Sequence, residues 1–167
     1  IRRGIAPDGG LYVSDALGET TIDVATLASK GYFELAREVL GILLPDYTAD
    51  EIAACVEEAY GGTFASEEVT PLVPLKQAPN ADGVSTYVLE LFGGPTSAFK
   101  DVALQMLPRL MARTGTGDNA GEKIMIVTAT SGDTGKAALE GFAKVPHINI
   151  VVYYPKDGVS TIQEKQM

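Results

Sequence analysis

The sequence predicts an α/β protein in which a mostly helical N-terminal part precedes a parallel-sheet β-α-β-α-β unit. Three observations carry this. Apolar residues recur at three- and four-residue spacings before residue 70, a stretch containing Pro and Asn/Asp/Gly follows at 70–83, and from Val84 short apolar runs alternate with amphipathic ones through short turns. The division falls at that stretch, giving a helical domain over 1–80 and an α/β region over 84–167.

In chain order, "GIAPDGGLYV" (4–13) reads as a Pro-Asp-Gly-Gly turn leading into a strand. "YFELAREVLGILL" sets Phe33, Ala36, Val39, Leu40 and Leu43 along one helical stripe. "TADEIAACVEEAYGG" opens with Thr48 and Glu51 as a capping box and closes on Gly61-Gly62. Cys55 lies on the apolar side of that helix with Ile52, Val56 and Ala59, which makes it a packed core thiol. Beyond the 70–83 stretch the order is strand (84–92), helix (98–113), loop (115–121), strand (123–129), helix (133–144) and strand (148–154), with a further helix capped by Ser160. His147, after Val145-Pro146, falls in a surface loop. The chain opens on Ile1 and stops at Met167 just inside that last helix, as an N-terminal piece of a longer protein would.

Composition excludes several functions. Thirteen Lys+Arg against 22 Asp+Glu give a net charge of -9, which disfavours nucleic-acid binding because neutralising phosphates takes basic patches. One cysteine and one histidine form neither a disulfide framework nor a Cys/His metal site, so no metal is expected. No apolar run approaches a membrane span, and the N-terminus has no signal-peptide core, so no membrane partner and a cytoplasmic location are expected.

Two segments carry chemistry. "LELFGGPTSAFKD" (89–101) places Lys100 after an apolar run and a Gly-Gly-Pro turn, where Phe92 and Phe99 would partly desolvate its amine and make it a usable nucleophile and proton carrier. A solvated lysine at a helix start is the competing reading, disfavoured because a cation sits poorly at the positive end of a helix dipole. Asp101 suits that end and would cap or orient. "EKIMIVTATSGDTGKAALEGF" (122–142) runs from a buried strand through a polar turn into a helix, where free N–H groups beside the Ser131 and Thr134 hydroxyls form an anion site for a phosphate or a carboxylate. Taken alone, this turn is equally an ordinary capped strand-to-helix connection. Neither nucleotide motif fits: Gly132-Asp133-Thr134-Gly135-Lys136 lacks the P-loop spacing, and "GTGDNAG" (115–121) follows a helix where a dinucleotide fingerprint follows a strand.

Together with "YYPKDGVSTIQEKQM" and the opening "APDGGLYV", these segments closely resemble, in order and spacing, the signature segments of the threonine synthase family, which are pyridoxal-phosphate (PLP) enzymes of fold type II. The resemblance spans almost the whole chain. It implies PLP as cofactor, O-phospho-L-homoserine as substrate, and conversion of that substrate with water to L-threonine and phosphate. It further implies that Lys100 forms the Schiff base, with Phe99 beside it, and that Ser131, Gly132, Thr134 and Gly135, with Thr130 in support, receive the substrate's α-carboxylate. Asp133 then lies by the PLP 3′-oxygen, where a shared proton is expected to relieve repulsion between carboxylate and phenolate.

Gly93 stands where the family commonly has histidine, and the glycine-rich loop that grips the PLP phosphate has no counterpart within these 167 residues. The chain alone is therefore expected to be inactive, and its open sheet edge to be covered by another copy in a homo-oligomer. Lys156, Ser160 and Gln163 either approach the substrate phosphate or simply end a strand and cap a helix. Two other functions fit the same residues: a phospho-lyase of the family that releases a 2-oxo acid, and a non-catalytic PLP-fold binding module.

Overall fold

The computed structural model describes residues 4–13, 17–75, 85–114, 121 and 123–167. The first turn forms as expected: Ala6 N–H donates to Gly10 O at 2.9 Å, and Gly10 N–H to Asp8 Oδ1 at 2.9 Å. The strand expected after it does not form. Leu11, Tyr12 and Val13 are exposed and pair with no strand among the described residues.

A single-turn helix α1 (Val24–Leu27) leads to α2 (Tyr32–Leu43) and α3 (Ala49–Tyr60). The start of α3 is built as the pattern requires: Glu51 N–H donates to Thr48 Oγ1 at 3.3 Å while Thr48 N–H donates to Glu51 Oε2 at 2.9 Å. Its inward face carries Ile52, Cys55, Val56, Ala59 and Tyr60, all buried. Tyr60 is the hub of an aromatic cluster, with Tyr32, Phe33 and Phe64 packed edge-on at centroid distances of 5.3, 6.2 and 5.7 Å. Burial pushes the Cys55 thiol up from its ordinary value, consistent with a packing role.

The first of the expected parallel strands has a different partner. β1 (Leu72–Pro74) and β2 (Tyr87–Leu89) pair antiparallel, Leu72 opposite Leu89 and Pro74 opposite Tyr87, and form their own two-stranded sheet. Residues 76–84, which include the start of the strand predicted over 84–92, lie outside the described residues, as do 115–120 of the predicted loop. The prolines at 71 and 74 gave this segment the appearance of a linker, yet a proline is tolerated on an edge strand, and a pair close in sequence needs no crossover helix.

The expected α/β alternation holds from α4 (Asp101–Arg113) onward. β3 (Ile124–Ala129), α5 (Asp133–Phe142) and β4 (Ile148–Tyr153) form one parallel β-α-β unit, with Ile124 opposite Ile148 and Ala129 opposite Tyr153. The chain ends on α6 (Thr161–Gln166), capped by Ser160 as predicted. One sheet face, with Ile124, Ile126 and Ile150, packs on Met111, Ala138, Phe142 and Val145. The other exposes Met125, Val127, Val151 and Tyr153. His147 is exposed in the loop before β4, at φ 63°.

Helix α4 joins the two halves. Its Met106 and Leu110 complete the core of α3, where Tyr47 and Tyr60 hydroxyls donate to the Leu110 and Val102 carbonyls at 3.0 Å each. Its opposite side crosses α5 at close range. Pro108 has no N–H to return to Leu104 O, and Gly141 sits against that carbonyl so tightly that a Cβ would lie 2.0 Å from the oxygen. Arg109 fastens the crossing by donating to Gln105 O at 2.8 Å and Gly141 O at 3.0 Å.

Candidate functional site

Lys100 caps α4 at its N-terminal end, and the loop before it is held by its own side chains. Asp101, with 0% of its surface exposed, accepts from Thr96 N–H at 2.8 Å and Thr96 Oγ1 at 2.7 Å. Gly94 packs against it, so closely that a Cβ would fall 2.5 Å from the Asp101 Cβ. The loop is thereby drawn into one shape, with Lys100 at its end.

Half-buried, the Lys100 side chain lies with Nζ 4.3 Å from the Phe99 ring centroid, a cation–π contact. The apolar enclosure expected from Phe92 and Phe99 is absent: both rings are about 60% exposed, at 60% and 59%. The lysine does occupy the positive end of a helix, the position the sequence disfavoured. It is offset there by the buried Asp101 and the aromatic face. A side chain at Gly93 would head toward Ala65 and Val69, each 3.8 Å from the added Cβ.

The second segment follows β3 directly. Thr130 N–H donates to Tyr153 O at 2.9 Å, which extends the β3–β4 ladder by one residue, and Thr130 Oγ1 accepts from Gly132 N–H at 3.3 Å. Helix α5 then starts at Asp133. The N–H groups of Ser131, Asp133 and Thr134 have no acceptor among the described residues, and the Ser131 and Thr134 side chains are exposed beside them. Gly132 and Gly135 are buried in close contacts: a Cβ on Gly135 would lie 2.3 Å from Thr130 Cγ2.

Asp133 links this turn to Lys100 and to α6. Its carboxylate is held below the ordinary range, first by the hydrogen bond from Gln163 Nε2 at 3.3 Å, then by Lys136 at 3.2 Å, with the Lys100 ammonium adding to the same field. The Lys100 ammonium thus lies within electrostatic reach of Asp133, with the exposed Phe99 ring against the lysine. Two partners were not singled out for this site. The sequence presents Lys136 only within a motif that lacks P-loop spacing, and Gln163 only as a phosphate contact or part of a helix cap. The Ser160-x-x-Gln163 box was the available signal, since it fixes Gln163 at the first turn of α6.

An amine at a helix start, an acidic side chain beside cations, and N–H groups without an acceptor among the described residues are groups able to engage an anion and a carbonyl. The helix-and-sheet framework defines the class, an α/β protein. Residues 1–60 match the family model described as threonine synthase N terminus. The threonine synthase of Pseudomonas aeruginosa is 40% identical over 166 residues, covering 98% of this chain and 33% of the relative. Among solved structures, a PLP-bound threonine synthase from Brucella melitensis is 39% identical at a TM-score of 0.81, covering 98% of this chain and 34% of that one. A threonine synthase from yeast is 35% identical at 0.83, covering 98% and 33%. The chain belongs to the threonine synthase family, and it spans about a third of the length of the relatives it matches.

Proposed function

We propose that this chain supplies the reactive lysine and the carboxylate-binding turn of a PLP-dependent lyase, a threonine synthase converting O-phospho-L-homoserine and water to L-threonine and phosphate. The observation that carries this is the electrostatic reach of the Lys100 ammonium to Asp133, beside the N–H groups of Ser131, Asp133 and Thr134 that have no acceptor among the described residues. The residues suit the cofactor's aldehyde and ring end. Lys100 would hold the aldehyde carbon, Phe99 would restrain the lysine from one side, and Asp133, flanked by two lysines, would meet the ring's 3′-oxygen. When bound, PLP supplies an electron sink for the carbanions this chemistry needs.

The chain's own residues supply position and proton transfer. The free N–H groups of Ser131, Asp133 and Thr134, with the Ser131 and Thr134 hydroxyls, hold the substrate carboxylate at the positive end of α5. Buried Gly132 and Gly135 let that backbone come close, and Thr130 braces the turn through Gly132 N–H. Lys100, once its amine is free, takes protons from Cα and Cβ as phosphate leaves Cγ, and returns one to Cγ and one to Cα as the hydroxyl of water adds at Cβ. The buried Thr96–Asp101 joint keeps that amine at the cleft throughout.

Lys100→Ala in the full-length protein tests this. We expect turnover to fall by at least ~10²–10⁴, the usual contribution of one positioned acid/base, together with loss of the cofactor's protein-bound absorbance. Near-normal turnover refutes the role. Product analysis of the parent protein decides between neighbouring activities: threonine with phosphate supports the proposal, a 2-oxo acid with phosphate makes the protein a phospho-lyase, and neither product makes it a binding module.

A further inference from the structure

Lys136 is a lysine in the wrong place for an ordinary surface residue. It lies in the first turn of α5, where a helix dipole disfavours a cation, and its side chain is only 10% exposed. Its Nζ lies 3.2 Å from Asp133 Oδ1 and donates to Gln166 Oε1 at 3.1 Å. An i,i+3 pair on a helix surface explains the first contact and neither the burial nor the second.

The second contact reaches α6, which lies across the turn. Gln163 Nε2 donates to the same Asp133 oxygen, Oδ1, at 3.3 Å, and its amide fills the space where a Gly132 side chain would be, 2.4 Å from an added Cβ. Met167 Sδ lies 3.2 Å from the equivalent position on Gly135. Gln163 and Gln166 stand one turn apart on α6, so both reach the start of α5 from the same side. Both contacts to Asp133 use Oδ1, and neither uses Oδ2.

We propose that Lys136 is a positioning residue: its ammonium fixes Asp133 through Oδ1 and pins α6 through Gln166, so that Gln163 is held over Gly132 as a cover for the carboxylate site. The inference deepens the proposed function and rests on it for the identity of the ligand, an amino-acid carboxylate. The tether itself is a property of the protein without cofactor or substrate. Gln163 then shields the N–H donors from bulk water, and the site presents one arrangement of turn and cover to an arriving carboxylate.

The test compares Lys136→Met, Lys136→Arg and Gln166→Ala in the full-length protein. In the cofactor-free form, amide hydrogen exchange over 160–166 should rise by roughly 10-fold in Lys136→Met, the effect of losing one charge-assisted hydrogen bond. Lys136→Arg, which keeps donors for both oxygens, should restore most of the protection. Gln166→Ala removes only the exposed α6 end of the tether and should reproduce the rise even if Lys136→Met fails to fold. In the cofactor-loaded form, Lys136→Met should raise KM for the phosphorylated amino acid by roughly 10-fold on the same basis, with kcat changed far less. Unchanged exchange over 160–166 in Gln166→Ala overturns the tether. So does a KM equal to the parent's in Lys136→Met, or a fall in kcat with no change in KM. Because exchange needs no turnover, failure of the tether is read separately from failure of the threonine synthase assignment, which Lys100→Ala decides.

Discussion

Two turns of this molecule lead into helices on an aspartate, and they use it in opposite ways. Before α4, Asp101 is fully buried and accepts twice from Thr96, five residues back, so the loop closes on itself. Before α5, Asp133 has a side chain 48% exposed and takes its closest contacts from Lys136 and from Gln163, thirty residues on. The first carboxyl is part of the frame that holds a lysine still. The second stays half-exposed at the surface, with both of these contacts on one oxygen. The local pattern is the same, an acid at the positive end of a helix, and what differs is burial and the reach of Asp133 to a partner thirty residues away.

The largest expected effect lies at the buried turn. Asp101→Ala removes the acceptor for a buried N–H and a buried hydroxyl with no water to replace it, and should cost about 2–4 kcal/mol. Urea unfolding of the full-length protein measures it. A change under 0.5 kcal/mol, the level of an ordinary surface substitution, would erase the distinction between the two turns.

Asp133→Ala should sharpen the contrast from the other side. Its contacts are half-exposed and screened, so stability should fall by no more than about 1 kcal/mol, while turnover and the absorbance of bound cofactor should both change. If Asp133→Ala destabilised the protein as much as Asp101→Ala and left the cofactor spectrum intact, both aspartates would be frame residues.

The same difference in range explains what was legible in the sequence. The amphipathic helix α2, the capped helices α3 and α6, the β3-α5-β4 unit and the packed Cys55 all follow from signals within a few residues, such as the Thr48–Glu51 pair. Lys100 and the 130–135 turn were recognisable as segments for the same reason. Hidden were features made by distant residues. The β1–β2 pairing was masked by prolines that an edge strand accepts, and its antiparallel sense replaces the first strand of the expected parallel sheet. The exposure of Phe92 and Phe99 depends on what else packs there, which adjacent apolar letters do not reveal. Gln163 meets Asp133, and Gln166 meets Lys136, only because β4 returns the chain beside β3 and sets α6 over the start of α5.

The smallest effect is the pH dependence of the exposed aspartate, and its sign is fixed. Gln163, Lys136 and Lys100 hold the Asp133 carboxylate below its ordinary value of 3.8, so the folded protein binds this proton less readily than the unfolded chain does. The stability this group contributes is then fully present above the unfolded value. It declines as pH falls from there through the depressed folded value, because protonation discards the contacts with both cations. Against Asp133→Asn, which keeps the shape without the charge, the parent should hold a constant small advantage from neutral pH down to about pH 5 and lose it at lower pH. Added salt should shrink that advantage, since the side chain is half-exposed. An advantage that grew on acidification would mean the native state favours the protonated acid. Asp133 would then have to be regrouped with Asp101, as a side chain whose contacts serve the fold.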